Sequence, residues 1–479
     1  MVGVEITCRI VSVYKINAAE EGKTINTRKS SIRLGSGSGA GGDRIDAALN
    51  LAENGGIDYL IFDAQSEKAY SESALRKAKG DVGYDVTLGR TLRTVLPACI
   101  KNGVKIIHNG GSADVKGAVN LTAKICEELN IKGIKVAYTQ PDSSAALINE
   151  IDPVTSETGE PVSTFGDRLV AAIAYQGAPL IVEGLRRGAD IVITSRAGDS
   201  TQFLAPLIFE LDWQMDDWDL LASGLGIGHL MECGAQLSGG YHADPGMKDV
   251  SGLDNIGMPI AEVHSNGDAI ITKVPNTGGV VSERTVKEQL LYELHDPSNY
   301  IHNDGVVDFT STEIKQVGTD RVSVTGTKGH PRPSTVKVLL GVRENFVAVS
   351  RAYYGGTGAY ARARLAADTI AKRATRVHGI DSAALRFDFV GVNALFPWSD
   401  VDLSAVKEVE LRVSGYFDTQ DQAWEVLHDV ESLALNGPAG VSQGLRLDYQ
   451  AGPEEVIGLY TTLLPRETVQ FNVLEYVVE

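Results

Sequence analysis

The sequence predicts an α/β fold: a doubly wound, mostly parallel sheet in the N-terminal part, followed by a strand-rich α+β C-terminal part. Three observations carry that prediction. From about residue 30 to 205, short apolar runs ending in turn residues alternate with amphipathic stretches, the pattern of repeated β-α units. Polar residues and glycines follow each of those runs, as they do where a parallel sheet opens onto a ligand cleft. Beyond about residue 306 strand-like runs dominate, with helical stretches between them. At about 150 residues per domain, 479 residues amount to roughly three units. Hydrophobic residues at 43% and charged residues at 22% exclude a disordered or fibrous chain. Lys+Arg 44 against Asp+Glu 62 leaves −18, a field that repels a nucleic-acid backbone or an anionic membrane, so neither is an expected partner.

The expected organisation is an N-terminal extension (1–29), a Rossmann-like α/β domain (30–205), an insertion and second α/β part that complete the cleft (206–377), and an α+β C-terminal domain (378–479). The extension begins with a polar-interrupted strand and has neither the basic nor the apolar region of a secretory signal, so a cytoplasmic location is expected. The most apolar stretch, Leu169 to Leu185, is broken by Tyr175, Gln176, Pro179 and Glu183 and is no membrane span. Strands are expected at Ser31 to Leu34, Tyr59 to Phe62, Val104 to Ile107, Ile134 to Ala137 and Ile191 to Thr194, with helices such as Ile45 to Glu53 and Ala118 to Leu129 between them. After them come, in order, Gly35 to Arg44 with Gly37, Gly39, Gly42 and Asp43; Asp63 and Glu67; Asn109, Gly110 and Gly111; Gln140-Pro-Asp142; and Ser195 to Ser200 with Arg196 and Asp199. In a parallel sheet these five loops share one edge.

Past residue 206 a helix is expected from Leu220 to Cys233, then Gly234 to His242 with Gln236, Gly239 and Gly240. Pro259 to Val274 is a hairpin turning on Asn266-Gly267. Thr285 and Glu288 form a capping box for a helix running to Leu294, and Asn276, Thr277, Gly278 and Gly279 just before it could present backbone amides to an anion. The remainder holds a helix after the glycines at 355, 356 and 358, strands at Val409 to Ser414, Leu445 to Tyr449, Ile457 to Leu463 and Val469 to Val478, and a helix from Gln420 to Leu433.

Several chemistries fall away on spacing. Gly22-Lys23-Thr24 has Asn17 where a phosphate-binding P-loop needs glycine, and Gly198-Asp-Ser200-Thr-Gln202 ends in Gln where a serine nucleophile elbow needs glycine. Gly37-x-Gly39-x-x-Gly42 with Asp63 matches a dinucleotide fingerprint, but the strand before it carries Arg33, so NAD(P) is disfavoured beside a plainer phosphate- or carboxylate-holding loop. Cys8, Cys99, Cys126 and Cys233 form no C-x-x-C pair. His229, Glu232 and Cys233 share a helix face, Glu262 and His264 share a strand face, and so do His242 and Asp244 if their loop is extended; a divalent metal stays open without a recognised signature.

Taken together, Gly42-Asp43-Arg44, Asp58-Tyr-Leu-Ile-Phe-Asp63-x-x-x-Glu67, Leu96-Pro97 with Asn109-Gly-Gly, and Gly188 to Ser200 resemble the acyclic terpene utilisation family AtuA. Glu232-Cys-Gly-Ala-Gln236-x-x-Gly239-Gly240, Asn276-Thr-Gly-Gly279 with Thr285 to Pro297, and Asn436-Gly-Pro-Ala-Gly440 extend the resemblance over roughly residues 30 to 470. The resemblance implies a bacterial or fungal catabolic setting close to enzymes that carboxylate and hydrate branched acyl-CoA thioesters. Longer members carry a ferredoxin-like domain, which implies a separate small subunit here. The extra N-terminal residues and Ala40-Gly41 in the glycine loop depart from the family pattern.

The leading expectation is a lyase of the hydratase type acting on a branched acyl-CoA or small branched carboxylate. The glycine loop, Arg44 and Arg196 would hold the anionic group, and Asp63, Glu67, Asp199 and either Cys233 or His242 would move protons. The alternatives are a non-catalytic subunit that senses acyl-CoA or scaffolds a partner enzyme, and an NAD(P)-dependent oxidoreductase. A chain of this size commonly forms symmetric dimers, the expected assembly.

Overall fold

The computed structural model describes residues 29–140, 144–396, 401–442 and 452–478. The strands expected at the N-terminus and at Leu445 to Tyr449 lie outside them, as do Cys8, Pro141 and Asp142. The chain divides into two compact units, Met1–Gly341 with Leu459–Glu479, and Val342–Gly458.

In the first unit the early strands are β1 (Ser31–Ser38), β2 (Tyr59–Phe62), β3 (Lys105–His108), β4 (Lys135–Thr139), β5 (Leu169–Ala174) and β6 (Ile191–Ile193). Five of them pair in parallel in the order β1-β2-β3-β6-β4. The expectation omitted β5, which lies outside this sheet; the Tyr175 amide just beyond it donates to the Lys337 carbonyl. The helices are α1 (Ile45–Asn54), α2 (Glu67–Ala78), α3 (Leu88–Asn102), α4 (Val115–Glu128), α5 (Ser144–Ile151), α6 (Ala178–Arg186), α7 (Thr201–Leu211) and α8 (Trp218–Met231). All four residues of β2 are buried because both faces of the sheet are covered. Leu60 and Phe62 join one core with Leu51 of α1, Leu92 and Val95 of α3 and Val119 of α4, while Tyr59 points the other way and its hydroxyl donates to Glu210 of α7. Those core positions on α3 recur with Leu88, Leu96 and Cys99 along one helical stripe, which is why the sequence folds there as it does.

The sheet as a whole is mixed. The Asn-Gly hairpin is present as β7 (Pro259–His264) and β8 (Ala269–Lys273), and β7 runs antiparallel to β1, setting Arg33 opposite Glu262 with Nη1 3.1 Å from Oε2. That ion pair accounts for an arginine in β1. The short strands β9 (Tyr300–Ile301) and β10 (Val306–Asp308) form a small sheet with a later one, while β11 (Glu313–Gly318) and β12 (Arg321–Thr325) continue the main sheet beyond β8. β13 (Lys328–His330) completes the small sheet. The helix α9 (Glu283–Leu291) starts two residues before the expected cap: the Ser282 hydroxyl accepts the Thr285 amide, and the Thr285 hydroxyl accepts the Ser282 amide. Glu288 therefore lies within the helix.

The long strand β14 (Thr335–Gly355) leads from the first unit into the second. There follow α10 (Ala359–His378), β15 (Leu385–Val390), β16 (Glu408–Phe417), α11 (Gln420–Asn436) and β17 (Val441–Ser442), and β18 (Glu454–Pro465) leads back into the first unit. Ala359, Ala363, Ala366, Ala367 and Ala374 keep α10 close to Leu411 and Val413 of β16. The last strand, β19 (Val473–Val477), returns to the first unit and runs antiparallel to β4 at the edge of the main sheet. Among the described residues no helix is long and apolar enough to cross a membrane.

Candidate active site

At the carboxyl ends of β1, β2 and β6 a cavity of about 560 Å³ opens, walled by Gly39 to Gly41, Asp63 to Glu67, Arg196 and Asp199. Glu232 and Cys233, just past α8, close another side. A bulge at Gly37 lets β1 end in this position, since the register with β2 slips between Ser36 and Ser38. Gly39 then passes so near the backbone of Cys233 that a Cβ would sit 2.5 Å from its carbonyl carbon, which is why glycine stands there. The close approach brings Glu232 and Cys233 to the strand ends.

Asp63 directly follows β2, and its amide donates to the Ser38 carbonyl. Asn109, fully buried after β3, accepts the Ala64 amide at 2.8 Å and donates Nδ2 to Asp63 Oδ1 at 2.6 Å, so it fixes the carboxyl. Glu67 opens α2 behind the Ser66 cap. Gln176 accepts the Ser195 amide and the Thr139 hydroxyl, and its own amide donates to the Arg196 carbonyl; this anchors the loop that carries Arg196 and Asp199. Arg196 is 2% exposed. Its Nη1 and Nη2 lie 2.5 and 3.3 Å from the Asp199 oxygens, Nη2 lies 3.8 Å from Glu67 Oε2, and the guanidinium stacks 4.8 Å from the Tyr175 ring. The Tyr175 hydroxyl donates to Glu67.

These environments drive the carboxyl groups apart. Burial pushes Asp63 well above the usual carboxylate range, and the charges of Asp199 and Glu232 add to that against the opposing pull of Arg196 and Asn109. Burial also works to raise Glu67, but Arg196, the Tyr175 hydroxyl and Lys337 prevail and hold it down to about 2. Burial raises Glu232 too, against its bond to His229. His229, wholly buried, sets Nδ1 3.4 Å from Glu232 and Nε2 3.1 Å from the Leu290 carbonyl. Asp63 pushed up and Glu67 held down thus face a single space, an arrangement suited to moving two protons at one pH.

Of the residues singled out from sequence, Gly39, Asp63, Glu67, Arg196, Asp199 and Cys233 meet at this cavity, with Asn109 directly behind Asp63. Burial and then Glu232 push the Cys233 thiol up to about 12, so it remains a thiol near neutrality. His242 is elsewhere: its Nδ1 pairs with Glu288 Oε2 at 2.6 Å beside Lys248, and it does not line the cavity. Arg44 turns away as well, donating to the Leu253 and Asp254 carbonyls and pairing with Asp46. Asp43 spans the glycine loop, its carboxylate accepting the Gly39 and Arg44 amides where an anion was expected. Gly37, Gly42 and Asp43 line an adjoining smaller pocket.

The remaining glycine segments spend their amides within the protein. Gly110 donates to His108 Nδ1 and Gly111 to the Thr194 carbonyl. Gly239 and Gly240 donate to Gln236 and Ala235, and Gly278 and Gly279 to Asn255 and Ser251. The Thr277 hydroxyl donates to the Val274 carbonyl, and neither Thr277, Asn276 nor Gln236 lines the cavity. Among the described residues no three His, Cys, Asp or Glu side chains gather as a metal set. In sequence Glu232 stands out on a helix face and in the Glu232-Cys-Gly-Ala-Gln236 motif but not as a site residue, and Tyr175 only as a break in an apolar stretch; its place after an unassigned strand was its one signal.

A protein-family model described as acyclic terpene utilisation family protein AtuA matches residues 32–474 of the chain. No curated protein and no solved structure matches it.

Proposed function

The chain belongs to the acyclic terpene utilisation family AtuA, and on that ground we propose that it is a catabolic hydro-lyase, adding or removing water next to the carbonyl of a branched acyl thioester. The observation that carries this is the Asp63 carboxyl, whose hold on its proton is strengthened by burial and by its charged neighbours, while Asp199 sits paired with Arg196 on the same cavity wall. Dehydration needs both an acid and a base. Asp199 takes the proton from the carbon beside the thioester carbonyl, and the electron pair left behind forms the carbon–carbon double bond. The bond from the neighbouring carbon to its hydroxyl breaks as Asp63 gives that oxygen a proton, and water leaves. Proton exchange with solvent resets both groups, and hydration runs the same steps in reverse.

A neutral thioester suits this cavity better than a free carboxylate. Arg196 is already matched by Asp199 and Glu67, and Asp85, Glu232 and Glu293 add acidic lining against Arg76. Glu67 and Tyr175 orient Arg196, and Asn109 orients Asp63.

The test is conversion of a panel of branched 3-hydroxyacyl-CoA and 2-enoyl-CoA thioesters by the purified chain and by Asp63→Asn. We expect wild-type turnover of at least one thioester and a loss of about 100-fold or more in the variant. Undiminished turnover in Asp63→Asn overturns the mechanism. Thermal stabilisation by a thioester that is never converted instead favours a sensing or scaffold role.

A further inference from the structure

Beside the main cavity lies a second pocket of about 180 Å³, and the two share Ala40, Ala64, Asp85, Val86 and Thr87 as a common wall. Its lining is mixed, with an apolar part formed by Ile45 and Ala48 of α1 on one side and Phe62 of β2 on another. Phe62 stacks on His108 with ring centroids 5.0 Å apart and planes at 22°. Gly37 leaves room for that ring, since a Cβ there would stand 2.6 Å from it.

His108 is 1% exposed and lines this pocket. Its Nδ1 accepts the Gly110 amide at 2.8 Å, which places the proton of the neutral ring on Nε2. Burial, against the pull of Asp85, brings its pKa down to about 4, so the ring is neutral in the physiological range. Among the described residues no acceptor takes the Nε2 proton. An N–H with no protein acceptor, on a side chain that lines the pocket, is free to donate to an acceptor lying there. The charged lining is Asp43, Asp85 and Arg90, a net negative set that disfavours an anion, and the apolar walls offer a cation little. A cavity of about 150 Å³ is known to hold benzene, so a pocket of about 180 Å³ has the size for a group of five or six carbons.

We propose that the side pocket binds a compact branched group of about five or six carbons bearing one carbonyl oxygen, which accepts from His108 Nε2 while the alkyl part lies against Phe62, Ile45 and Ala48. That this group belongs to the substrate handled in the main cavity rests on the acid–base reading given above; the binding itself does not.

The experiment follows the histidine N–H signals of the ¹⁵N-labelled full chain, with thermal shifts, during titration with 3-methyl-2-butanone, 2-methyl-2-butene and isovalerate. The ketone is expected to saturate, to move the His108 Nε2–H signal and to bind about tenfold more tightly than the alkene, and isovalerate to leave the signal in place. His108→Asn retains an acceptor for Gly110 and should erase the preference for ketone over alkene. Ala48→Leu fills the pocket and should remove both, with the histidine intact as a check if His108→Asn fails to fold. No response to the ketone, equal binding of isovalerate, or a preference surviving in His108→Asn overturns the assignment, the first leaving a pocket for water alone. These probes require no turnover, so failure of the hydro-lyase reading leaves this result standing.

Discussion

Replacing Arg196 with Met removes the charge while keeping much of the side-chain volume. The guanidinium is 2% exposed and serves Asp199, Glu67 and the Tyr175 ring together, so its loss strands carboxylates in a space that already holds Asp63 and Glu232. Removing one partner of a buried ion pair generally costs about 3–5 kcal/mol. Glu67 supplies an independent scale. Burial alone would raise it, yet Arg196 leads the groups that bring it from 4.5 to about 2. That gap corresponds to about 3 kcal/mol if unscreened, and about 2 once the exposed third of the side chain is discounted. Because the folded pKa lies below the unfolded one, this contribution is complete above about pH 4.5 and is lost as the pH falls towards 2. Urea unfolding of Arg196→Met should therefore show a deficit of about 3–5 kcal/mol at pH 7 that narrows by about 1–2 kcal/mol at pH 3. Equal stability at pH 7, or a deficit that widens with acid, would refute the account of the cluster.

Gly39→Ala should destabilise the first unit by about 1–3 kcal/mol in the same assay, because the new Cβ meets Cys233 backbone that cannot rotate aside; an unchanged unfolding midpoint would show that the two segments separate readily. Cys233→Ala should leave thioester turnover within about twofold of wild type, and the native thiol should alkylate with iodoacetamide at pH 8 at least about tenfold more slowly than free cysteine, since its pKa is pushed up to about 12. Rapid alkylation, or lost turnover in a folded variant, would return Cys233 to the proton chemistry.

Four of the five central strands were visible as short apolar runs bounded by turn chemistry, with Tyr59–Phe62 buried on both faces, while β1, with only Ile32 and Leu34 apolar, was legible from the glycine loop that follows it. β5 was not, because its Leu-Val-Ala-Ala-Ile-Ala run merges in sequence with the apolar helix α6 a few residues on, and an apolar run alone separates strand from helix poorly. The hairpin β7–β8 was legible from Asn266-Gly267, but nothing local says that β7 pairs with β1, or that β19 pairs with β4. The same limit divides the site. Asp63, Glu67, Arg196 and Asp199 follow strands that end on one edge, so their meeting could be foreseen. Glu232 arrives through the contact of Gly39 with Cys233, which has no sequence signature. The glycines near residues 239 and 278 have the composition of an anion-binding loop, and composition is the same whether an amide faces a ligand or another carbonyl.

The pairing of β4 with β19 bears on how the protein is made. Residues 135–139 leave the ribosome long before residues 473–477, yet they share a ladder. During synthesis the nascent sheet therefore presents β4, with its own Val136 and Tyr138, as a bare margin while some three hundred further residues are added. Closing that margin means uniting distant stretches of chain, a high-contact-order step that comes late and slowly. Aggregation of nascent or refolding chains should be concentrated there, and a chaperone that shelters strand edges would act on this protein before its final strand is complete.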